Sequence, residues 1–332
     1  MKAILSTAAG RQEADWPRPQ PGPHDLLVQV EALAVNPIDA KQRATIGPGD
    51  APRILGWDFA GTVTACGQLT HRFQPGDRVI GAGDSLAQGC QAEWVRIEEP
   101  LVGRWPPGLE ASQAAALPLT GLTAWEALFE RLGLDADGGH AGRSLLILGG
   151  AGGVGSIAIQ LARRAGLTVI ASASRPESVA WVRRMGAHHV VNHRQPLGPQ
   201  LQALGHASVN HILNAADTDG HWNAMADAIA PQGSIVALVS NRGPLDLNLL
   251  KARSVAFHWE FMFTRPLCRT ADRGRQGEIL EQLAALLASG ALQSTVSRVL
   301  SPISVAQLER AETDLTAGSA IGKTVLTGWG PG

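Results

Sequence analysis

Leu145-Leu146-Ile147-Leu148-Gly149-Gly150-Ala151-Gly152-Gly153-Val154-Gly155-Ser156 carries an apolar, strand-like segment straight into a glycine-dense turn. Ile157-Ala158-Ile159-Gln160-Leu161-Ala162-Arg163-Arg164 follows with apolar residues at helical spacing. Gly150, Gly152 and Gly155 satisfy G-x-G-x-x-G. In that pattern the first glycine makes a tight turn, the second lets backbone approach a pyrophosphate, and the third lets helix pack on strand. The phosphates then meet the free N–H groups and positive dipole end of a helix. Because strand, turn and helix stand in the required order, the loop Gly150-Ala151-Gly152-Gly153-Val154-Gly155 reads as a dinucleotide cradle rather than a chance glycine cluster.

Working outward, strands and helices alternate from Arg143 onward. Thr168–Ala171, His189–Val191, Val209–Leu213 and Ser234–Val239 are strand candidates. Pro176–Met185 and residues 221–230 are helix candidates between them, and Pro176 suits a first helical turn. Such alternation predicts a parallel sheet covered on both faces. Residues 1 to about 115 read differently, as short antiparallel strands (Leu26–Ala32, Gly61–Ala65) separated by turn clusters such as Gln74-Pro75-Gly76-Asp77. The stretch 112–131 turns helical, and Glu278–Ala288 is a further helix.

The 332 residues suggest two domains. With 28 Lys plus Arg against 29 Asp plus Glu and no basic stripe, nucleic acid is disfavoured as a partner. No run of about 18 apolar residues exists to span a membrane, and no leader-like apolar segment opens the chain. Cys66, Cys90 and Cys268 are odd in number and scattered, which suits a reducing compartment and makes the cytoplasm the default.

The same segment also bears on which nicotinamide cofactor is bound. An NAD site places Asp or Glu about 20 residues after the glycines to grip the ribose 2′-hydroxyl. Here the second strand ends Ala171-Ser172-Ala173-Ser174-Arg175, without an acid. Two hydroxyls and a guanidinium suit a 2′-phosphate, so NADPH is expected, held by Ser172, Ser174 and Arg175. The bland alternative makes Arg175 a solvated cation and Ser174 the cap of the next helix. His193, ending the third strand, is a further candidate for the adenosine end. His188 and His189 are adjacent on a strand, face opposite ways, and so do not pair on one ion.

Asn36-Pro37-Ile38-Asp39, Gly56-Trp57-Asp58-Phe59-Ala60-Gly61-Thr62-Val63, Pro75-Gly76-Asp77-Arg78-Val79 and Ala115-Ala116-Leu117-Pro118-Leu119-Thr120-Gly121-Leu122-Thr123-Ala124, with the glycine loop, resemble the medium-chain dehydrogenase/reductases over nearly the whole chain. The quinone-oxidoreductase-like branch matches best, and Phe257-His258-Trp259-Glu260-Phe261-Met262-Phe263-Thr264-Arg265 is similar to a subgroup labelled zinc-type alcohol dehydrogenase-like. The resemblance implies an α/β fold: a GroES-like partly open β-barrel domain (1–118 and 266–332) plus a doubly wound parallel-sheet Rossmann domain (119–265). It also implies a cofactor cleft between the domains and a homodimer formed along the edge Ser254–Trp259.

The zinc label can be tested against chemistry. A catalytic zinc needs three Cys, His or carboxylate ligands. By motif alignment, the ligand positions of zinc-dependent members hold Asn36, Trp57 and Leu119, an amide, an indole and an isobutyl group. Asp58 alone is not a site, and only Cys90 falls in the region of the structural zinc lobe. No metal is therefore expected. Without a metal to acidify an alcohol, reduction of an electrophilic acceptor is the easier reaction. The chain also contains no tyrosine, so the acceptor must need little acid assistance. The expected activity is hydride transfer from NADPH to a quinone or activated enone, a small-molecule acceptor.

The resemblance places Asn36 beside the nicotinamide, Thr120 along the cofactor cleft, and Trp57 where it could stack on a flat acceptor. Each has a structural alternative: Asn36-Pro37 as a turn, Thr120 as the cap of a helix starting near Gly121, Trp57 as core. Asp58 reads as structural, and Phe261, Met262 and Phe263 as pocket wall or core. Loops 43–52 and 84–90 would shape the pocket. An enone or acyl double-bond reductase of the same superfamily and a non-enzymatic NADPH-binding protein are the alternative functions.

Overall fold

Leu145–Leu148 lie wholly buried inside the first of six parallel strands, Ser144–Leu148. In the computed structural model, which describes residues 1–330, these strands belong to a unit spanning Thr123–Met262. The others are Thr168–Ser172, His189–Val191, Val209–Asn214, Ile229–Ala237 and Ala256–Trp259. They order 3-2-1-4-5-6 across the sheet, and every neighbouring pair runs parallel. Continuous apolar runs such as Leu145–Leu148 form central strands because helices cover both faces. The strand order builds outward in opposite directions from the first and fourth strands, and at such a switch point ligands bind outside the strands' carboxyl ends.

Local departures have local causes. The stretch expected to turn helical from 112 to 131 does so in three pieces, Ala111–Ala115, Pro118–Trp125 and a π-helical turn, Glu126–Arg131. Pro118 has no N–H for a helix interior and starts a new helix instead. The sixth strand begins at Ala256 rather than Ser254, whose φ of 53° leaves the extended region. A helix at Leu197–Ala203 has no counterpart in the sequence pattern.

The second unit, Met1–Leu122 with Phe263–Gly332, is built on a seven-stranded sheet. Its order runs Val296–Leu300, Lys323–Thr327, Asp25–Ala34, Asp58–Cys66, Arg78–Gly81, Val102–Arg104, and Trp94–Glu98 also pairs with Asp25–Ala34. Leu26, Val28, Leu33, Phe59, Val79, Val102 and Leu326 fill its core. Strand pairings converge at one end of this sheet. Ala34 pairs with Asp58 on one side and with Val325 on the other, and the Val35 N–H donates to the Thr324 carbonyl. Continued by one more residue, that register sets Lys323 beside Asn36.

His211, on the fourth parallel strand, is buried with neither ring nitrogen hydrogen-bonded, and burial pushes its pKa down to about 4. The unfolded chain therefore binds the extra proton between about pH 6.5 and 4 while the folded one does not. Stability should fall as pH drops through that window, by about 3 kcal/mol from this residue. Urea unfolding at several pH values checks this; His211→Leu should flatten the curve relative to the unsubstituted protein.

Candidate active site

The glycine turn is held by specific contacts. Gly149, with φ of 80°, makes the left-handed step, and its N–H donates to the Ser172 hydroxyl at 3.0 Å. Gly150 has ordinary φ, but a Cβ there would stand 2.9 Å from the Ala171 Cβ and 3.3 Å from Val182. The turn glycine is therefore Gly149, and Gly150 is a packing glycine. A Cβ at Gly155 would lie 2.4 Å from the Gly149 carbonyl oxygen, so helix Gly153–Arg164 can approach the turn only because Gly155 has none. At Gly152, which caps that helix, a Cβ would meet nothing nearer than 3.5 Å. Ala151, Gly152, Gly153 and Val154 are half-buried. The loop thus presents open space in front of a helix N-terminus, which fits a pyrophosphate. Ser156 ties the loop to its neighbours, donating to the Gly152 carbonyl and accepting from the Trp181 indole N–H at 2.8 Å.

The residues expected at the 2′ position divide. Ser172 is buried, with its oxygen engaged by Gly149, so it braces the turn rather than lining a ligand surface. Ser174 is half-buried and does not cap the next helix; Arg175 occupies that cap position, and Ser178 Oγ accepts its N–H at 3.0 Å. The Arg175 side chain is partly exposed, with Glu177 3.9 Å from its Nε. His193 is half-buried, and burial, then the neighbouring charges of His221, Arg194 and Arg175, push its pKa down. Its ring meets His221 edge-on at 6.3 Å. Arg175 and His193 are thus neighbours at the carboxyl ends of the second and third strands. His221 joins them from the helix Thr218–Ala228, a placement no local motif announces.

In the other unit, the three motifs carrying Asn36, Trp57-Asp58 and Leu119 converge, and a fourth residue joins them. Lys323 Nζ donates to Val35 O at 3.0 Å, Asn36 Oδ1 at 2.6 Å and Asp58 Oδ2 at 2.8 Å. Asn36 Nδ2 donates to the same Asp58 oxygen at 2.8 Å, and the Leu119 N–H donates to Asp58 Oδ1 at 2.6 Å. Asn36, Asp58 and Lys323 are all buried. The Asn36 amide is thereby spent on the protein itself, which differs from the expected role of reaching cofactor or acceptor. Asp39 lies close by, accepts the Asn36 N–H at 2.8 Å, and is pushed up to about 8 by burial.

Trp57 is also wholly buried, edge-on to Phe263 at 5.8 Å, so neither ring face is open to a flat acceptor; it packs as core. Thr120 lies inside the helix Pro118–Trp125 and donates back to the Ala116 carbonyl at 3.3 Å, which replaces the capping alternative. Met262 and Phe263 are buried and Phe261 is exposed.

The zinc chemistry suggested by the motif order does not fit these residues. A neutral amide, a core indole, an isobutyl group and one ion-paired carboxylate supply no ligand set. Cys90, the nearest thiol, donates to the Asp58 carbonyl at 3.3 Å, and burial pushes its pKa well up, away from thiolate. Among the described residues no group of three or more His, Cys, Asp or Glu is arranged to hold a metal ion.

Comparisons with known proteins bear on both halves. Residues 22–107 match the family described as alcohol dehydrogenase GroES-like domain, and residues 153–265 match that described as zinc-binding dehydrogenase. A zinc-type alcohol dehydrogenase-like protein of Staphylococcus epidermidis is 40% identical over 316 residues, covering 95% of this chain and 94% of the relative. The chloroplastic quinone-oxidoreductase QR1 of Triphysaria versicolor is 28% identical over 332 residues, covering 96% of this chain and 94% of its own. A solved structure of the mycobacterial Rv1454c complexed with NADPH superposes with a TM-score of 0.84 at 27% identity, covering 98% of this chain and 99% of that one.

Proposed function

Because the chain belongs to the medium-chain dehydrogenase/reductase superfamily, in its quinone-oxidoreductase-like branch, we propose that this nicotinamide-dependent oxidoreductase takes NADPH and reduces quinones or similarly activated enones without a metal. One observation carries the reading: an ammonium, not a metal ligand set, sits among Asn36, Asp58 and Leu119. With nothing to acidify an alcohol, the acceptor must already be electrophilic.

Bound NADPH supplies a hydride equivalent. The loop Gly150–Gly155 would take its pyrophosphate, with Gly152 leaving room for the phosphate oxygens. Arg175, with Ser174 and His193 beside it, would take the 2′-phosphate, since a guanidinium matches phosphate in two places. A quinone that accepts hydride becomes a hydroquinone anion stable enough to wait for a proton from solvent. Such a reaction asks no acid of a chain that has no tyrosine. The NADPH-bound mycobacterial neighbour and the plant quinone-oxidoreductase relative support the choice of cofactor and acceptor.

A steady-state panel tests the acceptor: para-quinones, ortho-quinones, simple enones and simple alcohols, with chelator-dialysed protein. Quinones should turn over fastest, and zinc-independent oxidation of simple alcohols would contradict the reading. A second reading, nicotinamide binding without turnover, is favoured by the fully engaged Asn36 amide; binding with no turnover across the panel would support it.

We also propose a homodimer along the edge strand Ala256–Trp259, where Trp259 and Phe261 are exposed. A monomeric mass in solution would contradict it. Among the described residues no helix is long and apolar enough to cross a membrane, and the three cysteines are unpaired, so a reducing, cytoplasmic setting is proposed.

A further inference from the structure

Lys323 takes no part in the hydride chemistry above, and no motif points to it. Its ammonium has three N–H groups and three acceptors within 3.0 Å: Val35 O, Asn36 Oδ1 and Asp58 Oδ2. Its side chain is 3% exposed and that of Asp58 is 0% exposed. We propose that the Lys323 ammonium is a built-in cation that replaces a metal at this centre and makes it an N–H-donating, monovalent cation site closed to divalent ions.

Register, charge and donor chemistry agree on this role. Strand register delivers the cation, since Ala34 pairs with both Asp58 and Val325, and Lys323 lies at the start of its strand. The charges balance: Lys323 pairs with one carboxylate, Asp58, while burial pushes the pKa of the neighbouring Asp39 up to about 8, towards its neutral form. A divalent ion in the same place would keep an uncompensated charge in a buried setting, which is costly. The donors also suit an ammonium better than a metal. Val35 O and Asn36 Oδ1 are neutral hydrogen-bond acceptors, and Cys90 is a thiol aimed at the Asp58 carbonyl. This role does not depend on which acceptor the protein reduces.

The test uses the full chain, dialysed against chelator, and reads the thermal midpoint. Lys323→Ala should lower Tm by about 10 °C, because Asp58 is left buried without its counter-ion. n-Propylammonium, which restores the atoms from Cγ to Nζ, should recover a large part of that loss. Tetramethylammonium, which has no N–H to donate, and zinc should recover none, and zinc should leave the unsubstituted protein's midpoint unchanged. A Tm for Lys323→Ala within about 2 °C of the unsubstituted protein, or recovery by zinc instead of n-propylammonium, would overturn the proposal. If Lys323→Ala does not fold, Lys323→Met is compared with Lys323→Met/Asp58→Asn. The double variant should be the more stable, because it removes the orphaned charge; no difference between them would equally overturn the proposal.

Discussion

Gly152→Ala should leave the protein folded and weaken NADPH binding at least about tenfold, whereas Gly155→Ala should unseat the loop itself. The two glycines look alike in the motif, but their surroundings differ. Gly152 has φ of −73° and ψ of 175°, a conformation any residue adopts, and a new methyl there meets only the Gly149 carbonyl at 3.5 Å. Its effect on folding should stay within about 1 kcal/mol, the range of changes at a helix cap. The methyl would instead fill the space proposed for the phosphate oxygens. At Gly155 the new Cβ would stand 2.4 Å from one backbone oxygen and 2.7 Å from another, with no flexible side chain to yield. Separating helix from turn should cost about 3 kcal/mol or more, at the upper end of overpacking. Urea unfolding beside fluorescence titration with NADPH distinguishes the two. Unchanged affinity in Gly152→Ala would remove the phosphate from this loop.

Arg175→Ala should lower NADPH affinity by about 10- to 100-fold and leave NADH affinity within about twofold, the worth of charge-assisted hydrogen bonds to a phosphate. The helix cap survives the substitution, because the Arg175 backbone makes it with Ser178. The ion pair with exposed Glu177 spans 3.9 Å and adds little to folding. The preference should also depend on pH. His193 has its pKa pushed down by burial and by His221, Arg194 and Arg175. A dianionic phosphate beside it would favour the protonated ring, so the NADPH-over-NADH ratio should rise as pH falls from 8 towards 6. His193→Gln should remove that slope. Equal loss of both cofactors in Arg175→Ala would place the 2′-phosphate elsewhere.

The parallel sheet was legible because its signals are local. An apolar strand, a glycine turn and an amphipathic helix are adjacent in sequence, and their repetition predicts a parallel sheet; the 3-2-1-4-5-6 order that sets Arg175 and His193 together comes from the structure. The roles inside the turn were less legible: G-x-G-x-x-G spacing does not tell Gly149, which takes the positive φ, from Gly150, which only needs to be small. Ser174 looked like a cap by residue type, yet Arg175 holds that position. Lys323 was out of reach of sequence reasoning. It is one lysine in Ala320-Ile321-Gly322-Lys323-Thr324, separated from Asn36 by 287 residues, and only antiparallel register joins them. The loss of metal ligands at Asn36, Trp57 and Leu119 was readable; the cation that replaces the metal was not. Trp57 shows the same limit. Residue type gives an aromatic ring, while Phe263, where the chain re-enters this unit after residue 262, decides that it is core.

Metal-free hydride transfer from NADPH is tested most directly by anaerobic single-turnover oxidation of bound NADPH, with protein dialysed against chelator and a para-quinone in excess. The expected result is rapid loss of the reduced nicotinamide signal, slowed when the transferring C4 hydrogen is deuterium, unaffected by added zinc, and slower with NADH. NADPH that stays reduced until zinc is added, with binding intact, would contradict it.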